Sequence, residues 1–266
     1  GVLIKKMCNK LAHRGPNDEG YLLDYRLTLG HRRLSIIDLS KKGKNPLYNE
    51  YNTMCIIFNG EIYNYQELRK ELEQKGHRFY TNTDTETVLH AYEEYDDKCV
   101  EKLNGMFAFC IYDTKKKILF LARDRLGEKP LYYYCKDKIF LFASEMKALF
   151  EYEPLKKEIN LNALNNYFTF KFIPGPATIF KNIYKLQPGH WMKFNLINKT
   201  LDVEQYWDAD YTEQQNTEEF YLKEIQKLLE DYKGSVLIFS RTKFGAKKIA
   251  KVVRDMGHKA AEIHSN

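Results

Sequence analysis

The stretch GMFAFCIYDTKKKILFLARD, residues 105–124, decides the fold class because it contains two apolar segments separated by a short polar turn. Apolar runs of this length that end at polar turns are typical of strands, and a connection as short as DTKKK pairs such strands antiparallel. The next segments, LYYYC at 131–135 and IFLFAS at 139–144, repeat the pattern around the turn CKDK. Residues 105–144 are therefore predicted to form four consecutive antiparallel strands.

Helices are predicted on the N-terminal side of these strands. The segment 64–77, NYQELRKELEQKGH, has Asn64 as a possible N-cap, Glu67 in the capping-box position and Gly76 as a possible C-cap. Residues 84–104 are also mostly helical in pattern, and residues 3–13 carry an apolar stripe at helical spacing that includes Cys8. Further strands are predicted within 27–40 and 52–65. Helices grouped between runs of strands indicate an α+β fold.

The composition narrows the class of protein. At 266 residues the chain is long enough for one large domain or two ordinary ones. No run of apolar residues approaches the roughly 18 that a membrane helix needs, which favours a cytoplasmic protein without a membrane partner. The five cysteines are widely spaced and contain no C-x-x-C pair, so neither disulfides nor a metal site are expected.

The C-terminal part differs from the rest in pattern and charge. Residues 151–208 contain several prolines and predict no long element, whereas 217–232 predict a helix with Thr217 as N-cap. A buried strand at 234–240, a turn, a helix ending at Gly257 and a further strand within 259–266 then indicate the start of a parallel βαβ arrangement. Residues 233–266 hold eight basic and two acidic residues, which is the whole formal excess of +6. A solvated helix face or contact with nucleic acid would each explain this charge.

Two segments carry residues suited to binding an amino acid. FNGEIYN reads as a strand that ends at the corner Asn59-Gly60, where a side-chain amide and a backbone N–H could meet a developing oxyanion. The arginines of HRRLSIID offer a fork for an α-carboxylate. Asp84 begins a predicted helix, where its carboxylate would either accept from a substrate ammonium or cap the helix. Together these groups predict a pocket for a zwitterion.

Five motifs, in order and spacing, carry a family resemblance: LAHRGPNDEG, GHRRLSIIDLS, FNGEIYNYQELR, TDTETVLHAYEEYDDKCVEKLNGMFAF and LFLARDRLGEKPLYY. Residues 3–230 resemble the glutaminase domain of glutamine-hydrolysing asparagine synthetase. The resemblance implies a four-layer αββα sandwich of the N-terminal-nucleophile type that binds L-glutamine and passes ammonia to an ATP-dependent synthetase domain. ATP and Mg²⁺ belong to that second domain, so no cofactor is expected within residues 1–266. A synthetase domain or a second copy of the chain is the expected protein partner.

The resemblance also implies which residues bind glutamine. Arg33 is expected to bind the α-carboxylate, with the backbone around Leu34 and Ile36 completing that side of the pocket. Glu61 is expected beside the α-amino group and Asp84 opposite it. The charged residues of ARDRLGEK, residues 122–129, are expected to tie strands together instead of contacting the substrate.

The resemblance further implies an oxyanion hole at Asn59 and Gly60 and a nucleophilic cysteine at the N-terminus of the mature enzyme. That cysteine acts with its own α-amino group as the base, which requires it to be the first residue. This sequence begins with Gly1, and Cys8 corresponds to a helical packing position. The expectation is therefore a fold without its first strand and without the nucleophile, and a chain that does not hydrolyse glutamine.

The last 34 residues resemble the start of the second RecA-like domain of DEAD-box RNA helicases. In that resemblance Arg241, Thr242 and Lys243 would contact RNA phosphates, and the pyrophosphate-binding loop of a synthetase is absent. The expected organisation is a glutaminase domain at 1–208, a linker and helix at 209–232, and a helicase-like fragment at 233–266. Two alternatives stay open: a non-catalytic module that binds glutamine or a partner, and an RNA-binding protein that uses the basic tail.

Overall fold

The computed structural model describes residues 1–34, 43–210, 217–231, 243–255, 257 and 259–260. The chain divides into two compact units, Gly1–Ala209 and Asp210–Asn266. Helices of the first unit are α1 (Val2–Lys10), α2 (Tyr65–Gln74), α3 (Asp84–Tyr95), α4 (Cys99–Lys102), α5 (Met146–Leu149) and α6 (Leu161–Phe170). Short 3-10 helices follow α1 and α3, at Ala12–Arg14 and Asp96–Lys98.

Eleven strands of the described residues form three sheets in the first unit, and every strand pair is antiparallel, as predicted for the central strands. The two small sheets are β1–β2 (Asp18–Leu23 and Thr28–Arg33) and β8–β7–β9 (Ile139–Ala143, Tyr132–Lys136 and Ile183–Lys185). The largest sheet has six strands in the order β11 (Leu201–Gln205), β10 (His190–Asn195), β6 (Ile118–Arg123), β5 (Gly105–Asp113), β4 (Met54–Ile62) and β3 (Leu47–Tyr48).

Alternation of side chains along β5 shows how the layers stack. Because successive side chains of a strand point to opposite faces, one set packs with helices α2, α3 and α4: Phe107, Phe109 and Ile111. The other set faces the smaller sheets: Ala108, Cys110 and Tyr112. Helices α1 and α5 cover the far side of the smaller sheets. The expected four-layer αββα arrangement is confirmed.

The ends of helix α2 follow the predicted signals only in part. Asn64 occupies the N-cap position, but its side chain instead bonds the chain before β5, accepting from the Asn104 N–H at 3.0 Å and donating to the Lys102 carbonyl at 2.9 Å. Gly76 follows the helix with a φ of 98°. Its N–H donates to the Glu73 carbonyl at 3.0 Å, as in a Schellman C-terminal motif.

The prediction that a strand ends at Asn59-Gly60 is wrong. Strand β4 continues to Ile62, and the whole segment stays in register with β5, with Gly60 opposite Phe107. A Cβ at Gly60 would lie 2.1 Å from the Met106 carbonyl oxygen. Because Gly60 has no side chain, β4 and β5 can approach closely at Asn59-Gly60, although this dipeptide usually favours a turn.

Residues 151–208 are more ordered than their prolines suggest. Strands β10 and β11 lie here, and β10 pairs with β6 in the largest sheet. Buried side chains of β10 join both cores: Trp191, Met192 and Phe194. This pairing joins segments nearly 70 positions apart in sequence, so local patterns do not predict it.

The second unit contains two described helices, α7 (Glu218–Asp231) and α8 (Lys243–Asp255). The Oγ1 of Thr217 accepts from the Phe220 N–H at 3.3 Å, as predicted for the N-cap. Gly257, with a φ of 88°, follows α8 where the helix was predicted to end. The strand predicted at 234–240 and most of the one within 259–266 lie outside the described residues, as does Ile36. Among the described helices, none is long and apolar enough to cross a membrane.

Candidate functional site

A cavity of about 470 Å³ lies between the two sheet layers of the first unit. Its walls come from β2, β4, β5, the start of α3 and the inner face of α1. The predicted glutamine residues that the structure describes all line it: Arg33, Leu34, Asn59, Gly60, Glu61 and Asp84. A cavity of this size suits a small polar metabolite.

Strand alternation directs the polar residues of β2 and β4 toward the space between the sheets. Leu29 of β2 lies in the core between the sheets, so Arg33, four positions on, shares its face. Arg33 is 8 % exposed, and its guanidinium lies so close to Gly43 that a Cβ there would be 2.7 Å from its Nη2. A buried cation that lines a cavity is suited to an anionic ligand.

Asn59 presents an unpartnered donor to this cavity. Its face of β4 is set by Ile57, which packs in the core between the sheets. The amide Nδ2 is buried and has no hydrogen-bond partner among the described residues. Buried donors are almost always paired, because an unmade hydrogen bond costs about 1–3 kcal/mol. The Nδ2 group is therefore suited to donate to a ligand oxygen.

The carboxylate of Asp84 is held at the junction of β4 and α3. Its Oδ2 accepts from the Ile62 N–H at 3.0 Å and its Oδ1 from the Thr85 N–H at 2.8 Å. Burial raises the pKa of this carboxyl, and the two backbone donors oppose that shift. The N-cap of α3 is Thr83, whose Oγ1 accepts from the Glu86 N–H at 3.3 Å. Asp84 is the first residue of the helix, and its carboxylate satisfies one N–H group of the first turn.

His31 and Asn45 are among the polar residues of the cavity that the sequence did not predict. The His31 Nε2–H donates to the Phe58 carbonyl at 2.9 Å, while its buried Nδ1 has no partner among the described residues. Burial lowers the pKa of His31 to about 4, so the ring is neutral near pH 7. Asn45 accepts from the Phe58 N–H at 3.2 Å, and its place before Pro46 is a turn signal that could have drawn attention to it.

Cys8 and Cys110 also line the cavity, but neither has the environment of a nucleophile. Burial raises the pKa of the Cys8 thiol to about 11 and that of Cys110 well above the usual value. Reactive cysteines have lowered pKa values because the thiolate is the attacking species. The structure thus agrees with a packing role for Cys8.

Arg123, Asp124 and Arg125 bond to the backbone, whereas Lys129, which was also expected to be structural, lines the cavity. The Arg123 guanidinium donates to the carbonyls of Lys129 at 2.7 Å, Leu186 at 2.6 Å and Gly127 at 2.5 Å. These bonds join β6 to the loop after it and to the segment after β9.

Comparison with known proteins identifies the family of the chain. The sequence profile of a family described as the glutamine amidotransferase domain matches residues 2–207. The chain belongs to this family. Its fold, α+β in four layers, is that of N-terminal-nucleophile amidotransferase domains.

Curated relatives of this amidotransferase domain include asparagine synthetases. The putative asparagine synthetase [glutamine-hydrolyzing] 2 of Methanocaldococcus jannaschii is 38% identical over 248 residues, covering 86% of this chain and 48% of that protein. Asparagine synthetase [glutamine-hydrolyzing] 1 of Bacillus subtilis is 41% identical over 229 residues, covering 86% of this chain and 36% of that protein. The chain therefore spans between about a third and a half of these relatives.

Solved structures agree on the fold of the domain. Glutamine phosphoribosylpyrophosphate amidotransferase from B. subtilis, in complex with ADP and GMP, matches with a TM-score of 0.55 and 17% identity, covering 78% of this chain and 47% of that chain. A structure described as the allosteric regulatory enzyme of purine biosynthesis matches with a TM-score of 0.50 and 20% identity, covering 68% and 35%. At this identity the likeness shows the fold and not the substrate.

Proposed function

We propose that residues 1–209 bind L-glutamine in the cavity between the sheets, as the glutaminase domain of an asparagine synthetase. The observation that carries the proposal is the convergence of Arg33, Asp84 and the unpartnered Asn59 amide on one cavity. A cation, an anion and a neutral donor are the three groups that the two charged ends and the side-chain carbonyl of glutamine require.

In this proposal, different residues bind the two charged ends of glutamine. Arg33 binds the α-carboxylate, with backbone groups around Leu34 and Ile36 beside it. Asp84 and Glu61 accept from the α-ammonium, and the Asn59 amide donates to the side-chain carbonyl oxygen. Gly60 completes the oxyanion hole of a complete enzyme.

The chain's own cysteines do not supply the nucleophile in this proposal. All five thiols have raised pKa values because of burial: Cys8, Cys55, Cys99, Cys110 and Cys135. We therefore expect the 266-residue polypeptide to bind glutamine without hydrolysing it. Asparagine synthesis would additionally need a synthetase domain that holds ATP and Mg²⁺.

Isothermal titration with L-glutamine tests binding. The wild-type chain is expected to give saturable heat, and Arg33→Gln is expected to abolish it because the α-carboxylate loses its counter-charge. Arg26→Gln is the matched control, since Arg26 lies in the turn between β1 and β2 and does not line the cavity. Absence of heat at millimolar glutamine would refute the binding proposal, and ammonia released above a no-protein blank would refute the claim of no hydrolysis.

The positive charge of residues 233–266 favours RNA as a second candidate ligand. Helix α8 exposes Lys247 and Lys251, whereas Ala250 and Val253 of the same helix are buried. Of the three predicted phosphate contacts, Arg241 and Thr242 lie outside the described residues and Lys243 is the first residue of α8. A gel shift with single-stranded RNA at 50 and 200 mM salt tests this candidate, because phosphate contacts weaken steeply with salt. Binding that ignores salt would contradict it.

A further inference from the structure

Three side chains of types that can bind a metal ion lie close together between the end of α2 and helix α3, outside the glutamine cavity. They are His77, His90 and Glu93, and one ligand atom of each lies within 4.8 Å of the others. None of the three lines the cavity between the sheets. The cluster is therefore independent of the proposed glutamine site.

The carboxylate of Glu93 is the centre of this cluster. Its Oε2 lies 2.6 Å from the His90 Nδ1 and 3.7 Å from the His77 Nδ1. Two imidazole nitrogens and one carboxylate oxygen form a donor set that suits Zn²⁺, which binds such atoms at about 2.0–2.2 Å. Side-chain shifts of well under 2 Å would bring these atoms to that distance from one ion.

Backbone structure fixes the positions of the three side chains. His77 donates its N–H to the Leu72 carbonyl at 3.1 Å, the second bond of the Schellman motif that ends α2. His90 and Glu93 are three residues apart on α3, so they lie on the same helical face. The cluster thus rests on α3 and on the hydrogen-bonded turn that ends α2.

The outer nitrogens of both histidines face carboxylates. His77 Nε2 lies 3.2 Å from Glu94 Oε2. His90 Nε2 is fully buried, has no hydrogen-bond partner among the described residues and points toward Glu86 Oε1 at 3.7 Å. Metal-bound histidines usually donate the other ring N–H to a carboxylate, which orients the ring and fixes its tautomer. The His77 distance is within hydrogen-bond range, whereas the His90 distance is beyond it.

The remaining contacts of Glu93 also suit a ligand. Its Oε1 accepts from the Asn49 amide at 2.6 Å, which leaves Oε2 toward the histidines. The side chains of His77 and Glu93 are each 15 % exposed, whereas that of His90 is fully buried. The cluster is therefore reachable from solvent on the side of His77 and Glu93, where a fourth ligand such as water could bind.

We propose that His77, His90 and Glu93 form a zinc-binding site. The competing interpretation is a protonated His90 that bridges Glu86 and Glu93 without any metal. Burial by itself would lower the pKa of His90, but the neighbouring carboxylates of Glu86 and Glu93 outweigh burial and raise this pKa to about 9. A proton and a zinc ion compete for the same Nδ1 atom, so direct metal binding distinguishes the two interpretations.

Isothermal titration of the EDTA-treated and dialysed 266-residue chain with ZnCl₂ tests the site. One equivalent is expected to bind, and His77→Gln and Glu93→Gln are each expected to weaken binding at least about tenfold. His13→Gln is the matched control, because His13 also contacts a carboxylate, with Nε2 at 2.9 Å from Glu145, but lies outside the cluster. Cys135→Ser controls for binding by the least buried thiol.

A spectroscopic readout keeps the test independent of stability. Co²⁺ in place of zinc is expected to give visible absorption bands in the wild type and in His13→Gln, and weaker bands in His77→Gln. Circular dichroism verifies that each variant is folded, and His77→Gln is expected to perturb the fold less than a substitution of the fully buried His90. The proposal is overturned if zinc does not bind, if His77→Gln binds as tightly as the wild type, or if either control variant loses binding.

Discussion

Two buried aspartates of the first unit, Asp124 and Asp84, differ in how much of their hydrogen-bonding capacity the protein itself uses. Asp124 accepts from four backbone N–H groups, of Phe107, Leu126, Glu128 and Lys129, at 2.9–3.2 Å. Asp84 accepts from two neighbouring residues' N–H groups, although a carboxylate offers about four acceptor positions. Asp124 thus uses its hydrogen-bonding capacity to hold strands together, whereas Asp84, which lines the cavity, keeps acceptor capacity for a ligand.

The comparison teaches that an incompletely satisfied buried group is a better sign of a ligand site than charge or burial alone. Arg123, like Asp124, bonds to the backbone, since its guanidinium donates to three backbone carbonyls. The cavity instead contains the unpartnered Asn59 Nδ2 and His31 Nδ1. This contrast leads to four tests.

The largest expected effect is on stability, for Asp124→Asn. The amide keeps one acceptor oxygen in place of two, so buried backbone donors lose their partners. We expect the free energy of unfolding to fall by about 4 kcal/mol, as measured by urea denaturation. Asp202→Asn on exposed β11 is the control and should change it by less than about 0.5 kcal/mol. A loss under 1 kcal/mol for Asp124→Asn would break the comparison.

A pH effect on stability is expected from His31. Its pKa is lowered to about 4 in the folded state, against about 6.5 in the unfolded chain. The unfolded state therefore binds the proton more tightly, and the stability present above pH 6.5 is lost as the pH falls toward 4. The loss should reach at most about 3 kcal/mol. Urea denaturation of the wild type and His31→Gln should converge at low pH; parallel curves would contradict the prediction.

Asp84→Asn should separate ligand binding from stability. Because only two backbone donors depend on this side chain and the amide oxygen can still accept, we expect the free energy of unfolding to change by less than about 1 kcal/mol. Removing the charge opposite the α-ammonium should weaken L-glutamine binding by about 2 kcal/mol, roughly thirtyfold. Calorimetry and urea denaturation of the same preparation measure both. Unchanged affinity would remove Asp84 from the site.

The smallest effect is expected for Asn59→Ala. Loss of a donor that the folded protein leaves unpaired should keep the free energy of unfolding within about 1 kcal/mol of the wild type or raise it. Glutamine affinity should fall about tenfold, since one neutral hydrogen bond is lost. Asn198→Ala in the turn between β10 and β11 is the matched control. A clear loss of stability in Asn59→Ala would mean that its amide is used structurally.

Local patterns predict much of the fold because they report on strands joined by short turns. The alternation in 105–144 and the Gly76 signal agree with the structure. The patterns miss β10 and β11, whose place depends on pairing with distant β6, and they end β4 too early because Asn59-Gly60 resembles a turn. In both cases tertiary pairing overrides local preference.

The candidate sites show the same limit. Motifs point to Arg33, Asn59 and Asp84, and the structure brings these residues to one cavity. His31 carries no separate signal, because its role depends on which ring atom the fold leaves unpaired. The His77–His90–Glu93 cluster is also hidden, since ligands separated by thirteen and three positions match no familiar metal motif.

The hydrogen bond from the Ile62 N–H to the Asp84 carboxylate makes this amide an intrinsic NMR reporter of the cavity. This amide proton is in contact with the group proposed to hold the substrate's ammonium, yet it belongs to the regular end of strand β4. Its nitrogen-15 chemical shift would register the charge and occupancy of the carboxylate without any label in the cavity. A single resonance in a heteronuclear NMR spectrum could thus follow ligand binding in the unmodified protein.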